Sequence, residues 1–215
     1  MAGLGVCLGS ALWGAAPPLP QATVVQRHGE NGYVLPHRID HEQNMRAFTR
    51  AGCDRVLAVG SVGGLRAKLG PRTFLCPDDF IALGTGPTVF DDERAHQIHG
   101  FDLAWRGRIV RAWQERDQPE LVDGGVYWQT RGPRLETPAE IRLISMYAHV
   151  VGMTIASECT VASELGLAYA AVCVVENLAN GVGERELSME ELLAGRAANR
   201  TTLARALESV VPALS

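Results

Sequence analysis

Hydrophobic and polar positions alternate along the chain with two periods, and the switch between them lays out a run of strands and helices. Gly5 to Leu8 is a short apolar run closed by Gly9-Ser10, and it reads as a buried strand followed by a turn. Thr23 to Gln26 is a second strand ending at Arg27-His28-Gly29, and Asn31-Gly32 predicts a hairpin turn that returns Tyr33 to Leu35 to the sheet. Asp40 is placed to cap a helix over His41 to Ala51, with Gly52 as its stop. Arg55 to Val59 is apolar without alternation, as expected for a strand covered on both faces, and it breaks into the loop Gly60-Ser61-Val62-Gly63-Gly64. Phe74 to Leu83 is further strand interrupted at Pro77-Asp78-Asp79. A long loop spans Gly84 to Gly100, and a helix begins over Leu103 to Gln114.

The second half is more regular. Thr137-Pro138-Ala139-Glu140 is a capping box with proline at the first helical position, opening a helix to about Tyr147. Val150-Val151 starts a strand ending at Gly152-Met153-Thr154, and Ser157 to Leu165 is a helix stopped by Gly166. Tyr169 to Val175 is another buried strand, ending at Glu176-Asn177. Ser188-Met189-Glu190-Glu191 is a second capping box before a long C-terminal helix. Strands alternating with helices, without linker or repeat, predict one α/β domain over residues 1–215, three layers deep around a central mixed sheet. Ligands of such sheets gather at the loops beyond the strand ends. Ser10, Arg27-His28, Gly60-Ser61, Met153-Thr154 and Asn177 all fall there.

Composition narrows the ligand. The net charge of -4 comes with no basic stripe, which argues against nucleic acid and for a small molecule held by a local cluster. The apolar stretch Leu4 to Ala16 has no basic residue ahead of it and is too short to span a bilayer, so no membrane role is expected. Five widely spaced cysteines without a CxxC suit a reducing, cytoplasmic setting. His96 and His99 form an HxxH pair lacking a third ligand, so no metal is expected.

At the strand ends, the arginine fork of Arg27 suits phosphate, with Gly29 letting the backbone approach. Ser10 and Thr154 offer hydroxyls, and the Gly60 to Gly64 loop offers backbone N–H groups of the kind that cradle anions. Neither the dinucleotide nor the P-loop glycine pattern is present. Each of these features alone also suits an ordinary turn.

Taken together, QTRGPRLETPAE at Gln129 to Glu140, Val151-Gly152-Met153-Thr154, Glu158, the tripeptide at Arg27 to Gly29 and GSVGGLR at Gly60 to Arg66 resemble the trimeric purine nucleoside phosphorylase and methylthioadenosine phosphorylase family. The resemblance implies phosphorolysis of purine nucleosides, without a cofactor and with inorganic phosphate as co-substrate, by a homotrimer or dimer of trimers. It places Ser10, Arg27, His28, Gly60, Ser61 and Thr154 at phosphate. It places Met153, Leu135, Glu136, Leu178 and Ala179 at the nucleoside, with Asn177 as the catalytic contact to the base. It places Leu187, Met189 and Leu192 at the sugar's 5′ end, and sends His96 to a neighbouring subunit's site. Asn177 with Ala179, where members taking 6-aminopurines carry aspartates, resembles the 6-oxopurine type: inosine, guanosine or 5′-methylthioinosine. Four departures stand out: Leu135 where an aromatic ring is usual, Gly60 where a polar side chain is usual, a short segment between Ser10 and Arg27, and Leu8-Gly9-Ser10-Ala11 where a Gly-Gly-Thr/Ser-Gly loop is usual. A hydrolase of the same fold, using Glu136 or Glu158 on water, and a non-catalytic purine binder are the competing expectations.

Overall fold

The structure is a computed structural model that describes residues 3–84, 86–183 and 189–215, the side chains of 189, 191 and 192 excepted. Its chain runs β1 (Gly3–Leu8), β2 (Ala22–Gln26), α1 (His41–Arg50), β3 (Cys53–Gly64), β4 (Phe74–Cys76) and β5 (Asp79–Ile81), then α2 (Leu103–Gln114), β6 (Leu121–Asp123) and β7 (Val126–Gln129). It ends with α3 (Pro138–Ile144), β8 (Val150–Gly152), α4 (Ile155–Glu164), β9 (Ala168–Leu178) and α5 (Met189–Val210).

All these strands join one mixed sheet in the order β5-β7-β8-β3-β9-β4-β6, with β1 also on β3 and β2 at the edge on β1. The long strand β3 makes the site possible. Its first half pairs with β1 as far as Ala58, and its last two residues, Gly63 and Gly64, pair antiparallel with β8. Between those two partners one edge of β3 is open, while β9 covers the other edge from Arg55 to Gly64.

Side chains alternate across the sheet as strand geometry requires. Leu57, Val59, Val172 and Val174 face α2 and α5, packing with Ile109, Leu203 and Leu207. Val56, Ala58, Ala171 and Cys173 face α1 and α4, packing with Met45, Phe48 and Cys159. A smaller cluster of Ile141, Ile144 and Val151 seats α3. The five cysteines are all buried and unbridged, and burial pushes the thiols of Cys7, Cys76, Cys159 and Cys173 up, so these four behave as small apolar side chains. Among the described residues no helix is long and apolar enough to cross a membrane, and no group of three or more His, Cys, Asp or Glu gathers as metal ligands would.

Two local expectations are overturned. Residues 60–64 are not a loop: β3 continues through them, bonded to β9 from Gly60 opposite Cys173 to Gly64 opposite Leu178. Glycine is tolerated there because neighbours occupy the room a side chain would take; a Cβ on Gly60 would press on Ile155, and one on Gly63 on Val151 and Ala179. Nor does Asn31-Gly32 turn a hairpin. Residues 33–35 form no strand; the loop folds back so that the Val34 N–H donates to the His28 carbonyl at 2.8 Å and Tyr33 stacks on His28 at 4.5 Å.

Candidate active site

A cleft opens where β3 leaves β1 and has not yet reached β8, and the predicted residues converge on it. Ser10, Arg27, His28, Ser61 and Thr154 line it, as do Met153, Leu135, Glu136, Asn177 and Ala179. Gly60 and Leu178 are not on its wall; Gly60 lies in the sheet under Ile155. His96 is exposed beside the turn Glu93–Ala95 and is not on the wall either. Leu187 and the side chains of Met189 and Leu192 lie outside the described residues.

The wall is built locally. Ser10 opens a short 3₁₀ turn directly after β1, and its hydroxyl donates to Ser61 Oγ at 3.1 Å while the Ala11 N–H donates to the same oxygen. Gly9 must be glycine, since a Cβ there would strike Val59 O and the Arg27 guanidinium. Thr154 is the N-cap of α4, yet its side chain caps nothing. The N–H groups at the start of α4 have other partners: Tyr127 Oη accepts from Thr154 and Ile155, and Gln129 Oε1 accepts from Ser157. The Thr154 hydroxyl is therefore left to the cleft. Tyr127 and Gln129 belong to β7, a strand the sequence pattern did not reveal.

Across the cleft, Arg134 pairs with Glu140 at 2.7 Å, and Thr137 and Glu140 complete the capping box, which fixes the segment carrying Leu135 and Glu136. Glu136 is held by the Thr130 hydroxyl at 2.5 Å. Asn177, near the end of β9, gives one N–H to the Leu178 carbonyl at 2.8 Å, leaving its other N–H and its amide oxygen for a ligand.

Electrostatics sort the basic groups. Arg27 is 2 % exposed and forms a two-bond pair with Glu158 at 2.6 and 2.8 Å, with a third bond to Val59 O at 2.7 Å. Burial opposes both charges, but their mutual attraction wins: the Glu158 carboxyl is held below the usual range and the Arg27 guanidinium above it. Arg27 thus reaches the cleft with its charge already matched and two of its five N–H groups uncommitted. His28 is lowered to about 4 by burial, with the Arg27 and Arg196 charges adding to that, while its bond to the Val34 carbonyl pulls the other way. It is neutral at pH 7, and that bond at 2.8 Å puts the ring proton on Nδ1, so Nε2 accepts. Two further lining residues carry no signal in the sequence, Glu176 on β9 and Arg196 on α5.

With this geometry in hand, comparison with known proteins is decisive. The family model for the phosphorylase superfamily matches residues 21–212. The chain belongs to the phosphorylase superfamily. It is 38% identical over 188 residues to a probable 6-oxopurine nucleoside phosphorylase of Archaeoglobus fulgidus, covering 87% of this chain and 77% of that one. It is 40% identical over 176 residues to a probable S-methyl-5′-thioinosine phosphorylase of Xylella fastidiosa, covering 78% and 74%. The fold of this superfamily member superposes on methylthioadenosine phosphorylase from Schistosoma mansoni with a TM-score of 0.83 at 18% identity, over 99% of this chain and 91% of that one.

Proposed function

We propose that this phosphorylase cleaves purine nucleosides of the 6-oxopurine type, releasing the free base and a (5-methylthio)ribose 1-phosphate, in purine salvage. The observation that carries the reading is the placement of a neutral amide, Asn177, on the same cleft as the hydroxyls of Ser10, Ser61 and Thr154. The glycosidic C–N bond breaks as a phosphate oxygen attacks the anomeric carbon from the opposite face. The base departs with its bonding electron pair and takes up the proton that hydrogen phosphate gives up on becoming the sugar phosphate. Negative charge builds on the purine while the sugar becomes cationic, so a donor at N7 stabilises the transition state, and phosphate faces the sugar's positive charge. Holding both reactants in one cleft supplies much of the remaining acceleration.

The amide also argues for the 6-oxopurine class, since it donates to a carbonyl where a carboxylate repels it. The names of the two relatives agree with this class. The resemblance sets the apolar residues Leu187, Met189 and Leu192 at the sugar's 5′ end, and apolar side chains there favour a methylthio group over a bare hydroxyl. The homotrimer or dimer of trimers, with His96 serving a neighbour's site, follows from the resemblance; exposed Leu143, Met146 and Tyr147 offer apolar surface for an interface between copies. The buried, unbridged cysteines suit the cytoplasm.

Hydrolysis is the second reading; of the two carboxylates expected to serve it, Glu136 lines the cleft and Glu158 does not, and Glu176 joins Glu136 on the wall. Glu158 is fully buried against Arg27, Tyr169 and Cys7, whereas Glu176 lines the cleft. Incubating inosine, guanosine, 5′-methylthioinosine and adenosine with and without phosphate decides between them. Base release that requires phosphate and favours the 6-oxopurines supports the proposal; equal release in its absence overturns it.

A further inference from the structure

One cation and one carboxylate on the cleft wall have no part in the phosphorolysis described above. Glu176 precedes Asn177 on β9, at the register shift where β9 carries one residue more than β3, and its carboxylate faces Arg196 of α5. Two features hold the helix to the strand at this point. A Cβ on Gly195 would collide with the Glu176 carbonyl oxygen, so only glycine lets α5 lie this close. One turn on, Asn199 Nδ2 donates to Val175 O at 3.1 Å. The seam thus sets Arg196 beside Glu176.

Their pairing is loose. Arg196 Nε stands 3.7 Å from Glu176 Oε2, beyond a hydrogen bond, and both Arg196 Nε and Glu176 Oε1 are buried atoms without a hydrogen-bond partner. Glu176 is 4 % exposed, so its unpartnered oxygen is a sequestered acceptor, not a solvated one. Burial raises its carboxyl pKa, and the nearby Ser61 and Arg196 only partly offset this. Tyr33, which covers this part of the cleft, feels the charges of both groups.

A doubly charged oxyanion is held best where cations on the wall add to the hydrogen-bond donors. Arg27 is matched by Glu158, His28 is neutral, and Ser10, Ser61 and Thr154 carry no charge. Among the described lining residues, Arg196 is the remaining cation, and its Nε is buried without a hydrogen-bond partner. We propose that Arg196 is a second phosphate-binding cation of this cleft beside Arg27, and that Glu176 is the internal counter-ion it leaves when the oxyanion arrives, so that phosphate affinity is set by competition between the two anions. Arg27 stays paired with Glu158 and adds its two uncommitted N–H groups to the same oxyanion. The identity of the oxyanion rests on the phosphorolysis reading; the pairing of the two residues does not.

Inorganic phosphate is titrated calorimetrically into the wild-type protein and into R196Q, R196K and E176Q, and KM is measured for phosphate and nucleoside separately. R196Q should weaken phosphate about tenfold or more, the scale of a lost charged hydrogen bond, with the nucleoside KM moving far less. R196K should fall between, keeping the charge but losing the fork. E176Q should tighten phosphate, and this gain should vanish in the R196Q/E176Q double variant. Unchanged phosphate affinity in R196Q overturns the proposal, as does abolished cleavage in E176Q, which would make Glu176 a catalytic base. If R196Q does not fold, R196K and E176Q decide by the same criteria. Phosphate binding through Arg196 in a protein that releases base without phosphate would sink the phosphorolysis reading alone. Phosphorolysis with an unchanged phosphate KM in R196Q would sink this proposal alone.

Discussion

Arg27 and Glu158 face each other as a two-bond pair at 2.6 and 2.8 Å, with essentially no solvent exposure on either side chain. Tyr169 Oη and Cys7 Sγ donate to the same carboxylate, at 2.7 and 3.3 Å. The pair ties the end of β2 to α4 across the sheet opening that forms the cleft. The arginine of the Arg-His-Gly tripeptide is therefore structural as well as cleft-facing.

Removing one member leaves the other charged and buried. Arg27→Ala or Glu158→Gln should each destabilise the protein by about 3–5 kcal/mol, whereas a matched pair of methionines should cost much less. Urea unfolding of the three variants measures this; a stable Arg27→Ala variant that merely lost phosphate binding would contradict it. The pH dependence has a definite sign. Because the Glu158 carboxyl is depressed in the folded state, its contribution is full above the ordinary carboxylate pKa and is lost as pH falls through the folded value.

His28 predicts a second acid sensitivity, at higher pH. Its folded pKa is about 4 and its unfolded value is about 6.5, so between these the unfolded chain binds the extra proton and stability falls as pH drops. The loss should approach roughly 3 kcal/mol by pH 4, since each pH step of one between those two values is worth about 1.4 kcal/mol. Unfolding free energies of wild type and His28→Asn, compared from pH 7 to pH 4, should diverge over that window. Parallel curves would show that His28 does not carry this sensitivity.

How much of this was legible in the sequence depends on distance along the chain. The capping box at Thr137 and Glu140, the helix stop at Gly52 and the strand ends at Arg27 and Gly152 are local signals, and the structure follows them. Gly60, Gly63 and Gly64 misled because glycine marks a loop unless something else fills its space, and Ile155 and Val151 are remote in sequence. Strand β7 was missed although Tyr127 and Gln129 alternate with Val126 and Trp128; the signal was present but only four residues long. Arg196 and Glu176 carry no motif at all. Their meeting depends on Gly195 letting a helix settle on a strand, which no spacing rule reveals.

Leu135 occupies the cleft wall at 40 % exposure, where the resemblance expects an aromatic ring. Leu135→Phe should add a stacking face and lower the nucleoside KM about two- to tenfold, corresponding to about 0.5–1.5 kcal/mol for an aromatic pair. The phosphate KM should not follow. Steady-state kinetics with each substrate varied in turn separates the two, and equal shifts would mean that the residue shapes the cleft without touching the base.

Asn177→Asp tests the base assignment most directly. The substitution keeps the shape of the side chain and replaces its two donors with a second acceptor oxygen. A 6-oxopurine then meets a carboxylate at its carbonyl, while the exocyclic amine of adenine meets an acceptor. With hydrogen bonds to charged groups worth about 1.5–3 kcal/mol, the ratio of kcat/KM for adenosine over inosine should rise on the order of ten- to a hundredfold. The bond from Asn177 Nδ2 to the Leu178 carbonyl must also be lost, and the bare carboxylate then faces that carbonyl oxygen. The variant side chain should therefore turn further into the cleft, and stability should drop modestly at pH 7 and recover as the carboxyl is protonated. A nucleoside panel read beside a thermal melt separates the two effects: a melting shift with an unchanged base ratio would place the recognition of the purine elsewhere on the wall.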